Sequence, residues 1–519
     1  MNIVVIASEA VPFAKTGGLA DVAGALPRAL ERLGHKASLI LPCYNNVWKA
    51  GLPLRSTGIT LSVPVGSRIV EGHVQAATLP GSKATAYLID QPSYFERDGL
   101  YGQHGHDFAD NAERFIFFAR AALETVRLLD LRPDVLHCND WQTGLVPVYV
   151  EEFYRPLAAF RDVGTLLTIH NMGYQGLFPG STMGLTGLDW RLFTWEKLEY
   201  YGQLNFLKAA LVYADLLNTV SPTYAREIQT PEFGCGLDGL LRRRAGDLSG
   251  IVNGIDPGVW DPSSDTALAA PFSAANPWSG KAACKAFLQR RAGLPERPDV
   301  PVFAQIGRLD PQKGWDLLAR PHAKKGWDWI GGVADELLQG DVQLVVLGTG
   351  HAKYHDLLGR LAQQHPGRLR AFLEFSDPLA HQIEAGADMF LMPSLYEPCG
   401  LNQLYSLAYG TVPIVRRTGG LADTVTDATP ETLANGTATG FSFLEAVPEV
   451  DTPEAWGQAR ERALAGAIGR SLELWSDRDA WRRVVRAGMS QDWSWAHSAR
   501  AYVELYEDVR RRTARRTAV

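Results

Sequence analysis

Lys15-Thr16-Gly17-Gly18-Leu19-Ala20-Asp21-Val22 is the stretch whose reading decides the fold of the first half of the chain. An apolar run at residues 3–7 precedes it and reads as a buried strand. Leu19, Val22, Ala23, Leu26, Leu30 and Leu33 follow it at helical spacing. Strand, Gly-Gly turn and helix is the order in which N–H groups at a helix start face an anion. Two adjacent glycines let the backbone approach a ligand closely, and Lys15 adds a cation beside them. An ordinary βα turn with a solvated lysine would look the same in isolation. The spacing fits neither a Walker loop nor a full G-x-G-x-x-G.

Outward from this stretch, Arg417-Thr418-Gly419-Gly420-Leu421-Ala422-Asp423 repeats its run from Thr16 to Asp21, again behind an apolar strand, at residues 412–415. Two such loops point to two similar α/β halves, each offering a glycine-rich helix start to a shared cleft. Convergence on turn chemistry is the alternative.

A chain of 519 residues exceeds a single core, so at least two domains are expected. Hydrophobic content of 46% and charged content of 21% belong to a globular chain. A net charge of −6 disfavours a general nucleic-acid binder. Cys43, Cys138, Cys235, Cys284 and Cys399 are widely spaced, with no C-x-x-C, which speaks for reduced thiols in a cytoplasmic protein and against a zinc site. No secretory signal is visible, and no apolar run is long enough to span a bilayer.

Short apolar runs alternate with helical patterns, which predicts mostly parallel sheets covered by helices. In the first half the strands are expected at residues 3–7, 37–41, 86–89, 135–137, 166–170, 216–220 and 250–252. In the second they are expected at 302–306, 342–347, 370–373, 388–392 and 412–415. Ligands of such sheets sit beyond the C-terminal strand ends. Three first-half ends are unusually polar: His137-Cys138-Asn139-Asp140-Trp141-Gln142, His170-Asn171-Met172-Gly173-Tyr174-Gln175-Gly176 and Asn253-Gly254-Ile255-Asp256. Any one of these could be a cap, whereas three beside Lys15 favour a site. Asp261-Pro262-Ser263-Ser264-Asp265 opens a stretch to about residue 276 that reads as an interdomain linker.

The second-half strand ends carry Gly307-Arg308-Leu309-Asp310-Pro311-Gln312-Lys313-Gly314, then Gly348-Thr349-Gly350, then Ser394-Leu395-Tyr396-Glu397-Pro398-Cys399-Gly400-Leu401. Arg308 and Lys313 are two cations at one sheet edge, as a diphosphate requires. Glu397 near a helix start could be no more than a favourable charge. Lys313-Gly314-Trp315-Asp316 recurs as Lys325-Gly326-Trp327-Asp328, a local tandem duplication. Lys313 keeps its spacing from Arg308 and is expected to be the copy that faces phosphates. The arginine-rich end, Arg510 to Arg516, reads as a fraying, solvated terminus.

Taken together, these motifs resemble those of the bacterial glycogen synthases and plant starch synthases, which transfer glucose from ADP-glucose. The resemblance runs through residues 15–22, 137–145, 170–176, 231–241, 251–256, 308–314, 394–404 and 418–421, in family order. It implies the GT-B fold: two Rossmann-like domains, doubly wound parallel sheets, facing a deep cleft. The split of cations, Lys15 on one half and Arg308 and Lys313 on the other, predicts a cleft that closes on the donor. The domains would be 1–260 and 261–492, with a last helix, 493–519, packing back on the first. The nucleotide-sugar contacts it implies are Lys15, Gly17, Gly18, Asp21, Arg308 and Lys313, with Thr418 and Gly419 near the diphosphate. Asp140, His170, Asn253, Glu397, Cys399, Gly400 and Leu401 would hold the glucosyl unit. Glu397, His170, Arg308, Lys313 and Asp140 would carry the catalysis. A tyrosine common in related enzymes near residues 92–98 aligns with Phe95, beside Tyr94.

The implied partners are an ADP-glucose donor and a glycogen or α-1,4-glucan acceptor, with no cofactor, metal, nucleic acid or membrane. A UDP-glucose-dependent glucosyltransferase and a catalytically silent glucan-binding protein are the rival readings.

Overall fold

A computed structural model describes the chain except for residues 104, 322–328, 518 and 519, and except for the side chains of 319–321, 329–331 and 517. The second copy of the tandem duplication lies outside the described residues. The chain folds as two compact units, Met1–Gly254 together with the residues from Ser494 onward, and Ile255–Trp493.

The first unit is built on a nine-stranded sheet. Its strands are β1 (Asn2–Ile6), β2 (Lys36–Pro42), β3 (Arg55–Val65), β4 (Arg68–Thr78), β5 (Thr85–Asp90), β6 (Val135–Asn139), β7 (Gly164–Ile169), β8 (Leu216–Thr219) and β9 (Leu248–Gly250). Their spatial order is β9-β8-β7-β6-β1-β2-β5-β4-β3. β1 runs parallel to both neighbours, with Val5 paired to Leu39 on one side and His137 on the other. Strands covered on both faces carry continuous apolar runs, as β1, β6 and β7 do. Helix α1 (Gly18–Arg32) lays Leu19, Val22, Ala23, Leu26 and Leu30 onto this sheet.

The antiparallel hairpin β3–β4 extends the sheet beyond β5 and lies outside the expected strands. In β3 the burial alternates, with Leu61, Val63 and Val65 inward. A search for short apolar runs passes over a half-buried strand of this kind.

The arginine-rich terminus does not fray as expected. Helix Trp495–Thr517 packs Trp495, Ala499, Tyr502, Tyr506 and Val509 into the first unit's core. Tyr506 Oη lies 2.9 Å from His137 Nδ1, and Asn218 Nδ2 donates to Tyr502 Oη at 3.1 Å. Arg512 pairs with Asp247, and Arg516 lies 3.1 Å from Asp215. These two arginines are thus used on carboxylates near the sheet's N-terminal edge.

The second unit carries a six-stranded parallel sheet: β10 (Val302–Ile306), β11 (Gln343–Leu347), β12 (Leu369–Phe372), β13 (Met389–Met392), β14 (Val412–Arg416) and β15 (Phe441–Phe443), in the order β12-β11-β10-β13-β14-β15. The stretch expected as an interdomain linker, and Trp260 just before it, pack into this unit. Trp260 stacks between Tyr405 and His381, with ring centroids 3.6 and 3.8 Å away. Asp265 accepts hydrogen bonds from Tyr409 Oη at 2.6 Å and from His381 Nδ1 at 2.7 Å. Among the described residues no helix is long and apolar enough to cross a membrane.

Candidate active site

In the second unit the site is built from the loops after β10, β13 and β14. Asp310 caps the single turn Pro311–Lys313, its Oδ1 accepting from Lys313 N at 3.2 Å. Its Oδ2 lies 2.7 Å from Arg308 Nη1, and Arg308 Nη2 donates to Gln312 Oε1 at 2.9 Å. Lys313 Nζ lies 2.6 Å from Glu397 Oε2, which also accepts from Ser394 Oγ at 3.0 Å. Lys313 and Glu397, expected on different parts of a substrate, are therefore an ion pair.

The Glu397 loop is held from two sides. Leu395 N donates to Gln312 O at 2.8 Å, and Gln312 Nε2 to Tyr396 O at 3.2 Å. Arg416, at the end of β14, donates to the Leu395 carbonyl and forks onto both oxygens of Glu445. Burial works against the Glu445 carboxylate, yet Arg416 holds it down at about 2. Sequence reasoning missed Arg416; its signal was an arginine ending the apolar run Val412-Pro413-Ile414-Val415. Cys399 and Gly400 are fixed by their carbonyls, each accepting from Gln403 Nε2 at 3.0 Å. Helix α2 (Asn402–Ala408) starts directly after Leu401.

The two echoing glycine loops differ in backbone. Gly17 is an extended N-cap (φ −150°), and a Cβ there would meet nothing within 4 Å. Gly419 has φ +45° and opens helix α3 (Gly419–Thr424), and a Cβ on it would lie 2.0 Å from Glu397 O. Only glycine fits there. Gly420 N donates to the Glu397 and Pro398 carbonyls, both at 3.1 Å. The second loop thus buttresses the Glu397 loop, with its Gly420 amide already used.

Two amides of the first loop are used as well. Glu9, buried after β1, accepts from Thr16 N at 2.5 Å, Thr16 Oγ1 at 2.6 Å and Gly17 N at 3.1 Å. Tyr101 Oη donates to the same carboxylate at 2.6 Å and lies 2.7 Å from Ser8 Oγ. Burial, and next the Glu9 charge, push the Tyr101 hydroxyl well above its ordinary pKa. These two amides, both ahead of the helix start at Gly18, therefore face an internal anion. Lys15 pairs with Asp21 at 2.7 Å, and Gly18 begins α1. Phe95, aligned above with a family tyrosine, is fully buried against Tyr44 and Phe117. Tyr101 supplies the hydroxyl at this loop, and its flanking Gly99 and Gly102 were the signal.

Beyond β6, Asp140 (φ +56°) is buried, and its Oδ1 accepts from His170 N at 2.7 Å. Burial lifts its carboxyl to about 7 against the opposing His170 and Asn171 amides. His170, at the end of β7, places Nε2 2.9 Å from Asn139 Oδ1. Burial holds its ring at about 3, so the imidazole is neutral. Asn253, beyond β9 on the same sheet edge, is buried with its Oδ1 unbonded. Asp140 and His170 are thus in direct contact, and the parallel strands put Asn253 and Lys15 along the same edge. Phe375, three residues past β12, is 83% exposed beyond the edge that carries Arg308 and Gly348. No sequence motif marked it. Among the described residues no three His, Cys, Asp or Glu side chains are grouped as a metal site.

Residues 2–243 match the starch synthase catalytic domain, and residues 288–442 match glycosyl transferases group 1. The chain is 47% identical over 506 residues to a glycogen synthase of Syntrophotalea carbinolica, covering 98% of each chain. It is 48% identical over 510 residues to one of an Anaeromyxobacter species, covering 98% of this chain and 99% of the relative. The catalytic domain of Arabidopsis thaliana starch synthase IV, bound to ADP and acarbose, superimposes with a TM-score of 0.85 at 32% identity, covering 98% and 99%. A sucrose-phosphate synthase from Thermosynechococcus elongatus shares the fold alone, with a TM-score of 0.56 at 17% identity over 98% of each chain.

Paired parallel-sheet units with polar strand ends of this make-up define a glycosyltransferase of the GT-B class. Within that class the chain belongs to the family of glycogen and starch synthases, and it is a hexosyltransferase with glycogen or starch synthase function.

Proposed function

We propose that the chain transfers glucose from ADP-glucose to the non-reducing end of an α-1,4-glucan, with retention at the anomeric carbon. The observation that carries this reading is the Lys313–Glu397 pair at 2.6 Å with Arg308 on the same loop. Two cations neutralise a departing diphosphate, and a carboxylate beside them stabilises the positive charge that develops on the sugar. The Arabidopsis relative's bound ADP supports an adenine nucleotide. Exposed Phe375 offers a ring face on which the base stacks.

In this reading Lys15, Arg308 and Lys313 serve the diphosphate. Asp140, His170 and Asn253 in the first unit, with Glu397 and the Cys399–Leu401 backbone in the second, serve the glucosyl unit. The bond from C1 to the phosphate oxygen breaks, and its electron pair leaves with ADP. The acceptor O4 bonds to C1 on that same face and passes its proton to the departing phosphate oxygen. A double displacement needs a carboxylate placed as a nucleophile opposite the leaving group. Glu397 Oε2 is engaged by Lys313 and Ser394, and Asp140 by backbone amides, which supports the front-face route.

Incubation with a slow fluorinated ADP-glucose analogue tests the route. Intact-mass measurement should find only unmodified protein, and a glucosyl adduct on Glu397 or Asp140 would overturn it.

A further inference from the structure

Gln142 lies in the turn Trp141–Thr143, two residues past Asp140, and the residue is buried at 6% exposure. Its amide oxygen, Oε1, is completely enclosed and makes no hydrogen bond to any described residue. A primary amide offers two donors and an acceptor with two lone pairs. Nearly all buried groups of this kind are satisfied, because enclosing one without a partner is costly. Asn253 repeats the situation beyond β9, again a buried amide with an unbonded oxygen. Both follow parallel strands of one sheet, and Asp140 and His170 stand at the same edge.

We propose that Gln142 is a substrate-contacting residue that reads a glucosyl hydroxyl, a role no motif assigned to it. This rests on the glycosyltransferase reading above. A sugar hydroxyl donates and accepts at once, and an amide answers both demands. A site built to hydrogen-bond a hydroxyl leaves its own buried groups unpaired until that hydroxyl arrives. The hydroxyl could come from the donor's glucose or from the terminal glucose of the acceptor chain, and the experiment separates the two.

Gln142→Leu, close in volume and apolar, distinguishes contact from scaffolding. It removes a buried amide whose oxygen is unbonded, so the melting temperature should hold or rise. Calorimetric titration of the wild type and of Gln142→Leu with ADP-glucose, and separately with maltohexaose, reads the contact directly. At least a tenfold rise in Kd is expected for one of the two ligands, and which one names the source. Gln142→Glu, which keeps the acceptor oxygen, should recover part of that loss. Both affinities staying within twofold of wild type would overturn the proposal, as would a fall in melting temperature with binding unchanged. Release of ADP by the wild type in the presence of glycogen is measured alongside. Its absence would count against the glycosyltransferase reading, while the two titrations would still decide the role of Gln142.

Discussion

Lys313 Nζ stands 2.6 Å from Glu397 Oε2, so the cation assigned to phosphate and the carboxylate assigned to sugar are each other's nearest charge. Arg308 is turned to Asp310 at 2.7 Å in the same loop. In the proposed reaction a diphosphate arriving at this edge would compete with the two carboxylates for the two cations.

Glu397→Gln keeps the shape of this pair and removes its charge. Its kcat should fall about 10²-fold, with a much smaller rise in donor KM, because the carboxylate acts on charge that exists mainly in the transition state. Lys313→Ala should lower kcat/KM by at least as much and leave Glu397 buried beside no cation. Steady-state kinetics with ADP-glucose and glycogen checks both variants. A Glu397→Gln enzyme with unchanged kcat and a raised KM would assign Glu397 to ground-state binding instead.

The glycine loop at Lys15 depends on Glu9, whose carboxylate accepts four hydrogen bonds from Thr16, Gly17 and Tyr101. Glu9→Gln puts an N–H₂ group among those donors and should cost about 2–4 kcal/mol. Tyr101→Phe removes one of the four and should cost about 2 kcal/mol. Both should raise donor KM. Phe95→Ala should cost about 3–5 kcal/mol as a core cavity and leave the KM of the folded enzyme near that of wild type. Thermal scans paired with donor titrations check the contrast, and a raised KM in Phe95→Ala alone would reverse the assignment.

The parallel strands were legible because they are apolar on both faces, and the polar residues after them stood out against that background. The β3–β4 hairpin was not, since its inward residues alternate with polar ones and Pro64 interrupts the pattern. Lys15, Asp140, His170, Arg308, Lys313 and Glu397 could be named from their place after strands. What each one touches could not. The Lys313–Glu397 pair joins residues 84 positions apart, and the Glu9–Tyr101 bond residues 92 apart. Arg416 offered only its place at the end of an apolar run, because its partners, the Leu395 carbonyl and Glu445, lie 21 and 29 positions away. The echo of Thr16-Gly17-Gly18 in Thr418-Gly419-Gly420 suggested equal roles, and backbone packing made them different.

Asp140 gives a pH signature. Its carboxyl is lifted to about 7 in the folded chain, chiefly by burial. Between about pH 4 and 7 the folded chain holds a proton that the unfolded chain has released, so stability falls as pH rises through that window. Asparagine does not titrate. Asp140→Asn should therefore melt near the wild-type temperature at pH 4 and gain steadily up to about pH 7, while losing activity. His170, held neutral down to about 3, should add no imidazole limb to the pH–rate profile. A melting difference that stays constant with pH would contradict this account of Asp140.

The central claim is transfer of glucose from ADP-glucose onto an α-1,4-glucan, and its most direct test follows the sugar. Radiolabelled ADP-glucose and UDP-glucose are offered in parallel with glycogen, and the label is traced into polymer, free glucose and unreacted donor. The account predicts label in the polymer from ADP-glucose, far faster than from UDP-glucose, with α-1,4 linkage by NMR and one ADP released per glucose added. Label recovered as free glucose, a preference for UDP-glucose, or a polymer that gains no label from either donor would contradict it.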